Sequence, residues 1–307
     1  MRLAYITHPD CLRHEMGPHH PECPERVSVV HERLLAAGLL DFAHVHEAPL
    51  ASVEQIARAH STRHILELQA AAPQTGYATI DPDTCMNPYT WQAALRAAGA
   101  AVMATELVCA GQVDRAFCNI RPPGHHATRD AAMGFCFFNN VAVGMRHALD
   151  VLGLERVALI DFDVHHGNGS EDIFAGDDRV RMVSTFQSRL YPFSGEDPSA
   201  DNLCNVALTP YSDGRALRQA VLEHWLPCLD DFRPQMLFIS AGFDAHRDDD
   251  ISQLGWRDDD YGWLTRELMA VSLRHCQGRV VSVLEGGYHL GALARSAERH
   301  VREMMAL

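Results

Sequence analysis

Four short apolar runs in this chain, at 116–120, 157–161, 236–240 and 279–284, each break off directly into a polar cluster that contains glycine and histidine, with acidic residues in the last three. Each run has the length of a strand, and a stretch of helical length and pattern precedes each, at 89–110, 139–152, 215–229 and 261–275. Strands that alternate with helices predict an α/β fold built on a mostly parallel sheet flanked by helices. Further strands are expected at 2–6, 45–48, 181–186 and 205–208, and further helices at 53–59, 63–71 and 292–305. Another helix should begin near Pro24, with Val27, Val30, Leu34 and Leu35 on one face. No linker or repeat interrupts the pattern, so residues 1–307 read as a single domain. In such sheets ligands bind beyond the carboxyl ends of the strands, which puts the four polar loops on one rim, around one site.

The loop after the second run is the densest in chemistry: Leu159-Ile160-Asp161-Phe162-Asp163-Val164-His165-His166-Gly167-Asn168-Gly169. A strand extended through His165 would place Asp161, Asp163 and His165 on one face by its period of two. Two carboxylates and an imidazole are costly in a core and suited to holding a metal. Asp163 and His165, with Asp244 from the loop after the third run, would leave one coordination position open, the pattern of catalytic rather than structural zinc. Taken singly, Asp163 reads better as a helix cap or a loop hydrogen bond, and Asp244 about equally well as a loop residue; it is the set that favours a metal.

The pair His125-His126 follows Pro122-Pro123-Gly124 and offers a general base and acid near neutral pH. Asp161 is free to fix the tautomer of one of them. Tyr288, after Gly286-Gly287, could donate to a developing oxyanion, although taken alone it reads better as a packed loop tyrosine; the neighbouring Glu285 would oppose an oxyanion. Phe135 and Tyr191 are expected as aromatic walls of a narrow substrate channel, and Phe137 and Phe138 as core. The Pro- and His-rich loop at 8–26 is too long to be a mere connection in a compact domain.

Composition removes several classes of function. All 26 basic residues are arginine, so Schiff-base, P-loop and lysine-base chemistry are excluded. A net charge of -14 with no basic block argues against direct nucleic-acid binding. No apolar run approaches the roughly 18 residues of a membrane span. No G-x-S-x-G elbow supports a serine nucleophile. Nine cysteines without a C-x-x-C pair, behind an N-terminus with no signal-peptide core, suggest a reducing compartment and a cytoplasmic protein. Among the 19 histidines, His147, His224, His275 and His300 read as plain surface residues of helices. A homo-oligomer is compatible with the sequence, but no feature establishes one.

Arg121-Pro122-Pro123-Gly124-His125-His126-Ala127, Asp161 to Gly169, Ala241-Gly242-Phe243-Asp244-Ala245-His246 and Glu285-Gly286-Gly287-Tyr288 together resemble the histone deacetylase superfamily, with its arginase-like α/β fold. The motifs stand in family order, and His20-Pro21-Glu22-Cys23-Pro24-Glu25-Arg26 extends the likeness toward the N-terminus. The arginine-proline-proline form and Asn168 resemble the class II and bacterial amidohydrolase branch, which includes acetylpolyamine amidohydrolases. The resemblance implies a deacetylase that acts on an acylated amine, with one Zn2+ held by Asp163, His165 and Asp244.

It further implies His126 as general base and acid, near Asn168; His125 held by Asp161 in an electrostatic role; and Tyr288 polarising the amide carbonyl. A structural K+ near Asp161, Asp163, His165 and Ser184 is also implied. Gly134 and Phe135, Tyr191 and Ile251 would line the channel, with Asp81 or Asp83 at the place of a rim aspartate. The chain departs from the family at Asp250-Ile251-Ser252-Gln253, where Pro-Leu-Gly-Gly is common, and at Tyr191-Pro192-Phe193-Ser194-Gly195. Ile251 stands where polyamine-selective members are expected to carry a glutamate, which argues against polyamines. Two rivals remain: a binuclear manganese ureohydrolase of the same fold, and a non-catalytic module that binds acylated ligands.

Overall fold

The computed structural model describes residues 1–307. Its first half runs β1 (Leu3–Thr7), α1 (Glu25–Ala36), β2 (Ala43–Glu47), α2 (Val53–Ile56), α3 (Thr62–Ala71), β3 (Ala78–Thr79), β4 (Cys85–Met86), α4 (Thr90–Cys109), β5 (Arg115–Cys118) and α5 (Asn140–Asp150). The second half runs β6 (Val157–Asp161), α6 (Asn168–Phe174), β7 (Val180–Gln187), β8 (Leu203–Leu208), α7 (Gly214–Ala220), α8 (Leu226–Phe232), β9 (Leu237–Ala241), α9 (Asp258–His275), β10 (Val280–Leu284) and α10 (Leu290–Met305). Eight strands form one sheet in the order β2-β1-β5-β10-β9-β6-β7-β8, and every pairing in it is parallel. β3 and β4 form a separate antiparallel hairpin whose turn carries Asp81 and Asp83.

The four apolar runs are the four central strands, buried on both faces, which is why they read as continuous rather than alternating hydrophobic stretches. Period two still assigns their side chains to the two layers. Val157 and Leu159 of β6 pack into one core with α4 and α5, and Ala158 and Ile160 pack into the other with α9 and α10. The register brings Asp161 opposite Ser184 on β7 and Ser240 on β9, and Leu284 opposite Ala241. The loops bearing the polar clusters therefore leave the sheet side by side, from its carboxyl edge.

Several expectations are corrected. β6 ends at Asp161 rather than running on to His165. Instead the Asp161 carboxylate accepts from the Asp163 N–H at 3.1 Å and the Asp163 carboxylate from the His165 N–H at 2.9 Å. These two successive side-chain turns, not strand pleat, hold the three groups together. The helix expected at 215–229 is interrupted by a π-helical turn, Val221–Trp225, beside Pro227, which has no N–H to give to the preceding turn. α6 was not anticipated. Leu35 is exposed, unlike Val27, Val30 and Leu34.

His147 and His300 are buried, not surface residues, while His224 is exposed and His275 half-buried. His300 sits on the inner face of α10 with its two ring nitrogens 2.7 and 2.8 Å from the Thr265 and Ser282 hydroxyls, a polar pairing that its helix position alone did not reveal. No helix is long and apolar enough to cross a membrane.

Candidate active site

The loop after β6 and the loop after β9 bring Asp163, His165 and Asp244 together, all three buried, with one ligand atom of each within 4.8 Å of the others. His165 Nδ1 lies 3.0 Å from Asp163 Oδ1 and 3.3 Å from Asp244 Oδ2. The outer lone pairs are already engaged: Gly286 N–H donates to Asp163 Oδ2 at 2.8 Å, and Val164 N–H to Asp244 Oδ1 at 2.9 Å. Asp244 Oδ2 is buried and has no hydrogen-bond partner.

Burial and the Asp163 charge push the Asp244 carboxyl up to about 6. Burial works against a charged His165, but the same two carboxylates outweigh it and carry the imidazole up to about 9. The two carboxylates thus draw a proton onto His165, and two carboxylate oxygens, one of them orphaned, with one imidazole nitrogen are a donor set that suits a divalent cation in that proton's place. Gly286 closes in on the set so tightly that a Cβ there would lie 2.0 Å from Asp244 Oδ2 and 2.5 Å from Asp163 Oδ2.

The histidine pair arrives from the loop after β5, with ring centroids 4.1 Å apart. His125 Nδ1 lies 3.0 Å from Asp161 Oδ2, and its Nε2 lies 3.7 Å from Asp163 Oδ1. Burial opposes a charged His125, but Asp163 and Asp161 outweigh burial and hold its pKa well above the ordinary value. His126 is the opposite case. Burial, then the neighbouring His125 and His165, hold it well below its ordinary value. Its Nδ1 lies 2.7 Å from Asn168 Oδ1, and the Asn168 amide donates back to the His126 carbonyl at 3.4 Å. An amide oxygen at Nδ1 fixes the ring proton there and leaves Nε2 as a free acceptor.

Above these groups lies a cavity of about 190 Å³ lined by Asp83, His126, Gly134, Phe135, His165, Leu190, Tyr191, Ile251 and Tyr288. The expected channel residues are thus brought together, except that Asp83 of the hairpin turn lines the cavity and Asp81 does not. Asp81 instead accepts the Asp83 N–H at 3.0 Å. Tyr191 meets His126 edge to face at 5.2 Å, and Phe135 meets Tyr288 likewise at 5.9 Å. Phe135 has left-handed backbone, φ 68°, and its N–H donates to Thr84 Oγ1 at 3.0 Å. Gly134 beside it cannot carry a side chain, because a Cβ would lie 2.6 Å from the His126 ring. Phe137 and Phe138 are core. Burial pushes the Tyr288 hydroxyl well above its ordinary pKa, so it stays a donor.

Ser184 Oγ, opposite Asp161, is buried without a partner. His246, the position that would have to supply a bridging carboxylate in a binuclear site, points away and pairs with Asp258 at 3.2 Å.

Supporting residues escaped the sequence reading. The Glu285 carboxylate does not face the cavity; it accepts from Gly124 N–H at 2.6 Å and His125 N–H at 3.1 Å, bracing the histidine pair. Asp249 accepts from Tyr288 N–H at 2.6 Å and His289 N–H at 3.0 Å. In the sequence Asp249 is one of three consecutive aspartates, and only burial sets it apart from the other two. Leu190, next to the expected Tyr191, is a further wall.

Comparison with known proteins finds one family over nearly the whole chain. A histone deacetylase domain model matches residues 20–304. The chain is 36% identical over 311 residues to a histone deacetylase-like amidohydrolase of Pseudomonas aeruginosa, covering 94% of this chain and 82% of that protein. It is 35% identical over 302 residues to a probable deacetylase of Archaeoglobus fulgidus, covering 95% of this chain and 83% of the other. The crystal structure of the HDA15 HD domain superposes with a TM-score of 0.92 at 28% identity, covering 99% of this chain and 89% of that one.

Proposed function

The chain belongs to the histone deacetylase family, a family of deacetylating hydrolases, and on that premise we propose that it is a zinc-dependent amidohydrolase. Its substrate is an acylated amine, and the group removed is an acetyl or similarly short acyl group. One observation carries the reading: a buried three-donor cluster with an orphaned Asp244 oxygen opens, beside a neutral His126 and a protonated Tyr288, into a single narrow cavity.

Asp163, His165 and Asp244 are the residues that would hold Zn2+. When bound, zinc supplies Lewis-acid polarisation of the scissile carbonyl and lowers the pKa of water toward neutrality. His126 Nε2 takes the proton from the attacking water and later returns it to the nitrogen of the leaving amine. A C–O bond forms and the amide C–N bond breaks, giving a carboxylate and a free amine. His125, kept charged by Asp161 and Asp163, adds positive potential beside the developing oxyanion, to which the Tyr288 hydroxyl donates. Asn168 keeps the proton of His126 on Nδ1. Phe135 and Tyr191 exclude water along the acyl-amine stem, Gly134 leaves them room, Ile251 keeps the wall apolar, and Asp83 grips the substrate at the rim. The orphaned Ser184 hydroxyl beside Asp161 supports a K+ ion near Asp161, Asp163, His165 and Ser184. Residues 1–307 act as one catalytic domain.

The test is a panel of acetyl-lysine peptides, acetylpolyamines and small acetamides, assayed for free amine with zinc-loaded and chelator-stripped protein. Zinc-dependent release of amine from the peptides, with little from the polyamines, is expected. Binding without turnover across the panel would instead favour a non-catalytic module.

A further inference from the structure

Glu22, Arg26 and Arg121 have no part in the proposed chemistry, yet all three are fully buried, with His14 among them. Arg121 opens the loop that carries the histidine pair. Its Nη2 donates to Glu22 Oε2 at 2.6 Å, its Nε bonds the same carboxylate, and its Nη1 donates to the carbonyls of Cys11 at 2.7 Å and His14 at 2.9 Å. From the other side Arg26 Nη1 donates to Glu22 Oε1 at 3.1 Å. The remaining nitrogens of Arg26 hold the Tyr288 loop: Nε donates to the Gly287 carbonyl at 2.6 Å, and Nη2 donates to the Glu285 carbonyl. The Arg26 guanidinium also lies 4.9 Å from the centre of the Tyr288 ring. Burial alone would push the Glu22 carboxyl up, but Arg121 and His14, whose Nε2 lies 3.3 Å from Glu22 Oε2, together outweigh burial and hold it well below the carboxylate range.

Two buried guanidinium groups on one buried carboxylate are a poor device for stability alone, since apolar side chains of the same volume do as well or better. Their geometry is specific. One carboxylate ties the start of the His125-His126 loop to the backbone on either side of Gly286, two segments that meet otherwise through the β5–β10 pairing and the Glu285 carboxylate. We propose that Glu22 is a positioning residue that sets the spacing between His126 and Tyr288. The inference rests on the catalytic roles proposed above for those two residues.

Two variants test it: Glu22→Gln, which removes the charge, and Glu22→Asp, which keeps the charge but shortens the reach so that both arginines cannot be spanned. Amide hydrogen exchange is followed at 124–127 and 284–289 in the full chain, alongside steady-state kinetics and metal content. In both variants exchange should rise together in the two segments by about tenfold or more, with metal content unchanged. For a substrate that the wild type turns over, kcat should fall about 10- to 100-fold while KM moves less than about threefold.

Faster exchange confined to 8–26, or an unchanged kcat, overturns the proposal, as does failure of both variants to fold, which would assign the cluster to stability alone. If the wild type turns over no acylated amine, the functional reading fails, and the exchange data still decide whether Glu22 couples the two loops.

Discussion

At His126 one hydrogen bond decides which ring nitrogen is free, because the Asn168 oxygen claims Nδ1. The residue types of the site are legible in the sequence for a simple reason: buried carboxylates, paired histidines and a tyrosine beyond two glycines have few roles at strand ends. Their neighbours are not legible, because Glu285 bracing Gly124 and Asp249 bracing Tyr288 act across separations of 161 and 39 residues. Tyr288→Phe removes one oxyanion donor and nothing that touches the three-donor cluster. Turnover should fall by about 10² to 10³ with metal stoichiometry intact. Steady-state kinetics with metal analysis on the same preparation checks both, and full activity would remove Tyr288 from the proposed mechanism.

Among the elements, the central strands were readable because burial on both faces leaves them nearly all apolar. What lies between the strand ends and the chemistry was less so. The turn from Asp161 to His165 is made by side chains accepting backbone N–H groups, a local competition with strand pairing that hydrophobic periodicity does not register. At the end of β10 the absence of a side chain at Gly286 is itself structural. In Gly286→Ala the new methyl would press on Asp244 and Asp163, so metal affinity should weaken by roughly 10- to 100-fold, in the range seen when groups behind the ligands are disturbed. Titration of the stripped protein with zinc against a competing chelator measures this, and circular dichroism should show the sheet retained. Affinity equal to the wild type would mean that the two aspartates are not the ligands.

Across the whole molecule the alternation of strands and helices was enough to predict one parallel sheet and one rim, while burial of His60 and His300 was beyond the reach of sequence pattern. His60 receives the Asn139 N–H on Nε2 at 2.8 Å, with its Nδ1 2.8 Å from the Thr128 carbonyl, a pairing that requires the neutral ring. Burial lowers both histidines to about 3, against about 6.5 in an unfolded chain. The folded state therefore binds fewer protons below pH 6.5, and the stability these groups give is present above that pH and lost as pH falls toward 3. At pH 5.5 each should have cost roughly 1.4 kcal/mol. Glu285, pushed up to about 7 by burial, works in the other direction, so the informative quantity is a difference. Urea unfolding at pH 7.5 and 5.5 should show a smaller pH-dependent loss in His300→Gln than in the wild type; equal losses would contradict a neutral buried His300.

The proposed chemistry depends on a single catalytic metal held by Asp163, His165 and Asp244. It is tested most directly by titrating chelator-stripped protein with zinc while bound metal and amine release are measured in the same samples. Activity should rise in proportion to zinc and saturate at one ion per chain, with neither binding nor activity in Asp244→Ala. Full turnover by the stripped protein, or a requirement for two manganese ions per chain, would contradict it.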